Sequence, residues 1–236
     1  MSYMPLLYAF ALGAISMLSL PLSGIAVFLV KFPTRLVGAL AAIGAGALIA
    51  AVVRDLLPEA HELQLWQSSV WAMLGAGTVI IGERWVHKKF GSGGAAGALG
   101  IVVGAVVDGV PETIIFGIQL ASGQPISAAF LAAVFVSNIP QAIAPSADLA
   151  ATGWNWRRVA GLWIWVVSAC GVAAVLGYGA RAFSTEVTGV RMAALASGGI
   201  LAMLANSLIP FAHERHPGAG LWLVVGFCAS FAMTTS

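Results

Sequence analysis

The chain alternates long apolar runs with short polar interruptions. Runs long enough to cross a bilayer, at about 20 residues each, fall at about 5–30, 36–58, 69–87, 94–121, 125–150, 159–180, 190–211 and 219–235. The pattern predicts an all-α polytopic membrane protein with eight transmembrane helices and both termini on one side. The connections are short, and no stretch has the make-up of a soluble domain or a low-complexity linker. Residues 1–236 therefore read as a single transmembrane domain. The first run, MSYMPLLYAFALGAISML, has no basic segment ahead of it and reads as a retained helix rather than a cleaved signal peptide.

Composition agrees with this reading. Sixty per cent of the residues are hydrophobic, 8% are charged, and the mean hydropathy is +0.95. Soluble domains carry about a quarter charged residues, so lipid must be the solvent here. The abundance of Gly suits close helix packing in a bilayer. A net charge of +2 excludes nucleic acid as an expected partner. Cys170 and Cys228 lie inside apolar runs and read as small hydrophobes, with no disulfide framework or thiolate metal site.

Basic residues set the orientation. Lys31, Arg35, Arg84, Lys88, Lys89, Arg157, Arg158 and Arg215 fall beside the loops after the first, third, fifth and seventh spans. Only Arg54, Arg181 and Arg191 fall on the other side. The positive-inside rule then puts the larger set in the cytoplasm of a cell (inner) membrane and both termini outside. Trp85, Trp154 and Trp156 flank the cytoplasmic basic clusters as interfacial aromatics.

Most charges sit at span ends, but Asp108 and Glu112 occupy the middle of the fourth span. A carboxylate there costs about 2.5–3.5 kcal/mol on insertion scales, and such residues are functional by default. Their i, i+4 spacing puts both on one helix face. Gly93, Gly97, Gly100 and Gly104 share that side, which predicts that the face points into the bundle. Pro111 frees the carbonyl of Val107, one residue before Asp108. The fifth span carries Ser137, Asn138, Pro140 and Gln141, and Pro140 frees the carbonyl of Val136 in the same way. Counting along an antiparallel hairpin that turns near Gly123 and Gln124 brings Asp108 level with Asn138 to Pro140. The bland alternative is a structural polar pair between Asn138 and Asp108.

Two internal matches suggest a repeat. DGVPET (108–113) aligns with SNIPQA (137–142). GALIAAVVRDLLPEAHE (46–62) aligns without gaps to GGILAMLANSLIPFAHE (198–214), with both copies ending in Pro-x-Ala-His-Glu. The paired spans run in opposite directions. Spans 1–3 and 6–8 would then be inverted repeats around the central 4–5 pair, a three-two-three bundle of transporter type.

These motifs resemble the ZIP (Zrt/Irt-like) family of divalent-metal transporters over nearly the whole chain. The family's fourth-helix pattern, His-Asn-x-Pro-Glu, falls on Asp108, Gly109, Val110, Pro111 and Glu112. Its fifth-helix pattern falls on Ser137, Asn138, Ile139, Pro140 and Gln141. DLLPEA (55–60) and ILAMLANSLIPFA (200–212) look like its second and seventh helices. The resemblance implies a divalent-metal transporter whose metal residues are Asp108, Glu112, Ser137, Asn138 and Gln141. The transported ion is Zn, Mn, Mg or Fe, no resident cofactor is needed, and a homodimer is left open. Three positions depart from the family: Asp108 replaces His, Gly109 replaces Asn, and Gln141 replaces Glu. The centre thereby loses its imidazole and becomes oxygen-rich, which suits Mg²⁺ or Mn²⁺ at least as well as zinc.

Asp55, Glu59, His61 and Glu62 form an outer acidic cluster, and His213, Glu214 and His216 its inner counterpart. Such clusters read as ion funnels or as solvated helix ends. Glu83 reads as charge compensation for Arg84 and His87, and Asp148 as an exit ligand or a solvated end. An enzyme is not expected: Asp108 and Glu112 share one helix instead of facing across two, and no HExxH, GxSxG or Ser-His-Asp pattern occurs. The rivals are a proton-linked carrier of a small non-metal cation and a degenerate, non-transporting metal-binding membrane protein.

Overall fold

The computed structural model of the protein describes residues 4–60, 63–90, 94–123, 125–183 and 189–233, and among them every regular element is helical. In chain order these are α1 (Met4–Ser16), α2 (Ser19–Ala26), α3 (Thr34–Ala51), a π-helical turn (Val52–Leu56), α4 (Leu57–Ala60), α5 (Leu65–Phe90), α6 (Gly94–Ala121) and α7 (Ala128–Ala151). There follow α8 (Trp156–Phe183), α9 (Gly189–Met203), a second π-helical turn (Leu204–Leu208), α10 (Ile209–Arg215) and α11 (Ala219–Met233). Six stretches are long and apolar enough to cross a membrane: Met4–Ala26, Thr34–Leu56, Leu65–Trp85, Ala128–Ala151, Trp156–Phe183 and Val190–Arg215. α6 and α11 contribute two further apolar helical segments. The protein is an α-helical membrane protein.

Prolines explain where the rods are interrupted. Pro21 has no N–H to offer the Met17 carbonyl four residues earlier. Around Met17 and Leu18 the chain tightens to shorter-range bonds: Met17 N–H donates to Ala14 O at 3.2 Å and Leu20 N–H to Met17 O at 3.0 Å. This break separates α1 from α2. Pro58 and Pro210 act differently. In each case the extra residue is absorbed in a π turn just before the proline, closed by Leu57 N–H to Val52 O and by Ile209 N–H to Leu204 O. The two π turns occupy the same place in the two copies of the gapless sequence match.

The helices assemble into two groups. α1 and α2 pack with α6, α7 and α8, and the closest association is that of α6 with α8. α3 packs on α11 and α5 on α9. α10 lies against α3 and α4 against α9, so the two π-interrupted rods run antiparallel. α3 also crosses α7, which joins the groups at the centre.

Glycines permit the tightest crossings. A Cβ on Gly46 of α3 would fall on the Leu223 carbonyl oxygen of α11, and one on Gly226 would fall on the Ile43 oxygen. On the other side, a Cβ on Gly198 of α9 would fall on the Ala72 oxygen of α5, and one on Gly75 on the Leu195 oxygen. Backbones meet in direct contact here, as small residues allow between membrane helices.

Candidate metal centre

α6 and α7 form a hairpin. Ser127 begins α7 by accepting a hydrogen bond from Phe130 N–H at 3.1 Å, and its hydroxyl also bonds Asp55 in the first π turn. Both helices continue through their central prolines, Pro111 and Pro140. On α6, the Thr113 hydroxyl lies 2.9 Å from the Gly109 carbonyl and 3.1 Å from that of Val110. It thereby covers backbone oxygens on either side of Val110, immediately before the proline.

Glu112 is 3% exposed and Asn138 5%, so both polar side chains are enclosed by protein. Asn138 Nδ2 donates to the thioether of Met17 at 3.1 Å. Met17 sits at the α1–α2 break and is fully buried. The same sulfur is 3.4 Å from where a Cβ on Gly109 would lie. Positions 109 and 138 therefore flank one atom, and the polar stretches of α6 and α7 share one depth. The Cys170 sulfur of α8 stands 3.1 Å from the same point at Gly109. Thr113 hydrogen-bonds the Cys170 thiol, and the Glu112 carboxyl is within electrostatic range of it.

The five residues expected to hold metal are distributed as follows. Asn138 reaches Met17 beside Gly109, and Glu112, buried one turn along α6, is within electrostatic range of Cys170. Ser137 turns the other way: its hydroxyl donates to Val134 O at 2.9 Å, and Gly44 of α3 presses on its backbone. Gln141 is half-buried one turn further along α7. The backbone of Asp108 lies in α6, while its side chain is outside the described residues, as is the packing of Gly93, Gly97, Gly100 and Gly104. Among the described residues, no three His, Cys, Asp or Glu side chains gather as a metal site.

Two groups at this centre are missing from the sequence reading. Cys170 is not merely a small hydrophobe among others, because it stands beside Gly109 with Thr113 and Glu112 on it. Met17 gave one signal, Pro21 four residues later, which marks a break at that depth.

The peripheral clusters separate. His61 and Glu62 lie outside the described residues, as does the side chain of Glu59. His213 is exposed, Glu214 pairs with Arg215 at 3.5 Å, and His216 Nδ1 accepts from Gly218 N–H at 2.9 Å. Asp148 is exposed. Glu83 has hydrogen-bond partners beyond the charges expected beside it. It accepts hydrogen bonds from Ser207 at 2.7 Å and Asn206 at 3.1 Å, both on the second π turn. The interfacial tryptophans do meet cations: Lys89 lies over Trp85, Arg157 over Trp156 and Arg158 over Trp154.

The sequence matches no protein-family model and no curated protein.

Proposed function

We propose that this chain is a membrane carrier that moves divalent metal cations through a site between α6 and α7. The observation that carries the reading is the meeting of Glu112, Asn138 and Gly109 at the depth of two mid-helix prolines. Acids and proline-freed carbonyls at that depth persist where they line an ion path. The resemblance to ZIP transporters supports divalent metal as cargo and adds Asp108, Ser137 and Gln141 to the site.

An eight-span, three-two-three inverted repeat is the architecture that this function would use. Its supports are the paired π turns and the paired glycine crossings. Ile43 and Gly46 of α3 occupy the places of Leu195 and Gly198 in α9, and Leu223 and Gly226 of α11 those of Ala72 and Gly75 in α5. The second correspondence has no counterpart in the sequence matches, so it supports the repeat independently. Alternating access would follow if the two halves exchange conformations around the fixed centre. We further infer a cell-membrane location with both termini outside, from the basic residues beside the loops.

Anomalous diffraction from protein soaked with Mn²⁺ or Zn²⁺ tests the site. An ion within coordination distance of Glu112 supports it. Ions confined to the surface histidines would remove it.

A further inference from the structure

The centre between the helices is not lined by oxygen alone. Met17 Sδ and Cys170 Sγ approach Gly109 from α1–α2 and from α8, at 3.4 and 3.1 Å from the point a Cβ would occupy. Both residues are fully buried. Glycine at position 109 adds no side chain of its own at this point, which the Met17 methyl approaches to 3.2 Å. Asn138 holds Met17 from one side, and Thr113 holds Cys170 from the other. Glu112, the described buried carboxyl, lies one turn along α6 on the same side.

From this juxtaposition we propose that Met17 and Cys170 form a sulfur wall of the carrier site that binds a soft monovalent cation of the Cu⁺ class. The inference rests on the carrier reading and deepens it. A thioether and a thiolate are poor ligands for Mg²⁺ or Mn²⁺ and good ones for Cu⁺ or its analogue Ag⁺, and as the ion binds, the Cys170 thiol passes its proton to the Glu112 carboxylate. The thiolate then balances the one positive charge, which desolvation at this depth requires. A Cβ at position 109 would sit 3.1 Å from one sulfur and 3.4 Å from the other and would crowd an ion between them. Occupation by Cu⁺ or Ag⁺ places a charge beside Glu112, so these ions compete with divalent uptake.

The test uses the full chain in detergent with Cys228→Ala, which removes the exposed thiol on α11. Cu⁺ held reduced by ascorbate is titrated against a colorimetric chelator, and X-ray absorption at the copper edge identifies the ligands. We expect one Cu⁺ per chain with sulfur neighbours. Outer partners of a metal ligand are already worth about 10–100-fold in affinity, so Met17→Leu and Cys170→Ser should each weaken binding by at least about tenfold. Met17→Leu is close in volume and leaves packing nearly intact. The absorption spectrum of the parent needs no substitution in the centre. Ag⁺ should inhibit divalent uptake in the parent and lose potency in both variants. A copper spectrum with only nitrogen and oxygen neighbours overturns the sulfur wall, as do unchanged affinities in both variants. If divalent uptake then still depends on Glu112, the carrier reading survives that result. If no cation binds and Glu112→Gln changes nothing, both readings fall.

Discussion

Glu112 is the position on which the proposed carrier function turns. It is buried in a chain that lipid surrounds, and its neighbours on α6, Gly109 and Thr113, meet Cys170 of α8. An amide in its place keeps the shape and removes the charge, so Glu112→Gln should bind cations at least about tenfold more weakly while staying folded. Metal-dependent shifts in melting temperature would check this. Gln141→Glu adds a carboxylate one turn beyond Asn138 and should favour Zn²⁺ over Mg²⁺, measured by the same shifts with each ion. Glycines supply a sharper contrast at this scale. Gly46→Val and Gly198→Val would each drive a side chain into a carbonyl oxygen of the facing helix, costing about 3 kcal/mol or more. Gly161 has nothing within 4 Å of an added Cβ. Gly161→Ala should therefore stabilise by about 0.5–1 kcal/mol through helix propensity. Equal melting temperatures for the Gly46 and Gly161 variants would contradict the crossing geometry.

At the scale of elements, the prolines act in two ways. Pro21 breaks a rod, whereas Pro58 and Pro210 are relieved by π turns that shift the residues beyond them by one position, about 100° around the axis. Restoring an N–H in Pro58→Ala and Pro210→Ala should let each turn relax to α-helix. Helix content should hold by circular dichroism while uptake falls. Unchanged uptake would make the π turns a matter of packing alone. Six of the eight expected spans were legible in the sequence, because a run of apolar residues has no other solvent to face. The α1–α2 break at Met17 was not, because a proline can kink, break or be absorbed, and neighbouring packing decides which. Cys170 was illegible for a related reason. One thiol in an apolar run has no spacing that singles it out, and only the crossing of α6 with α8 gives it neighbours. The hydrogen bonds of Glu83 were not legible, because the donors lie more than a hundred residues away on the second π turn.

For the whole molecule, two groups of helices meet where α3 crosses α7, and the candidate centre lies at that depth. A cation site placed there can be shared between two halves that move relative to one another. The orientation in the membrane follows from charge outside the spans and is open to direct labelling. Cysteines introduced at Ser2 and Ser236 should react with an impermeant reagent in intact cells, and reaction only after lysis would reverse the orientation. The proposed function requires that the buried Glu112 carboxyl serve the passage of cations across the membrane. Purified protein in liposomes loaded with a metal-sensing dye, with Mn²⁺, Zn²⁺ or Cu⁺ added outside, measures this. The parent chain should admit at least one of these ions, and Glu112→Gln, with the same helix content and reconstitution, should lose that uptake. Equal uptake by the two proteins, or none by the parent for any of the ions, would contradict it.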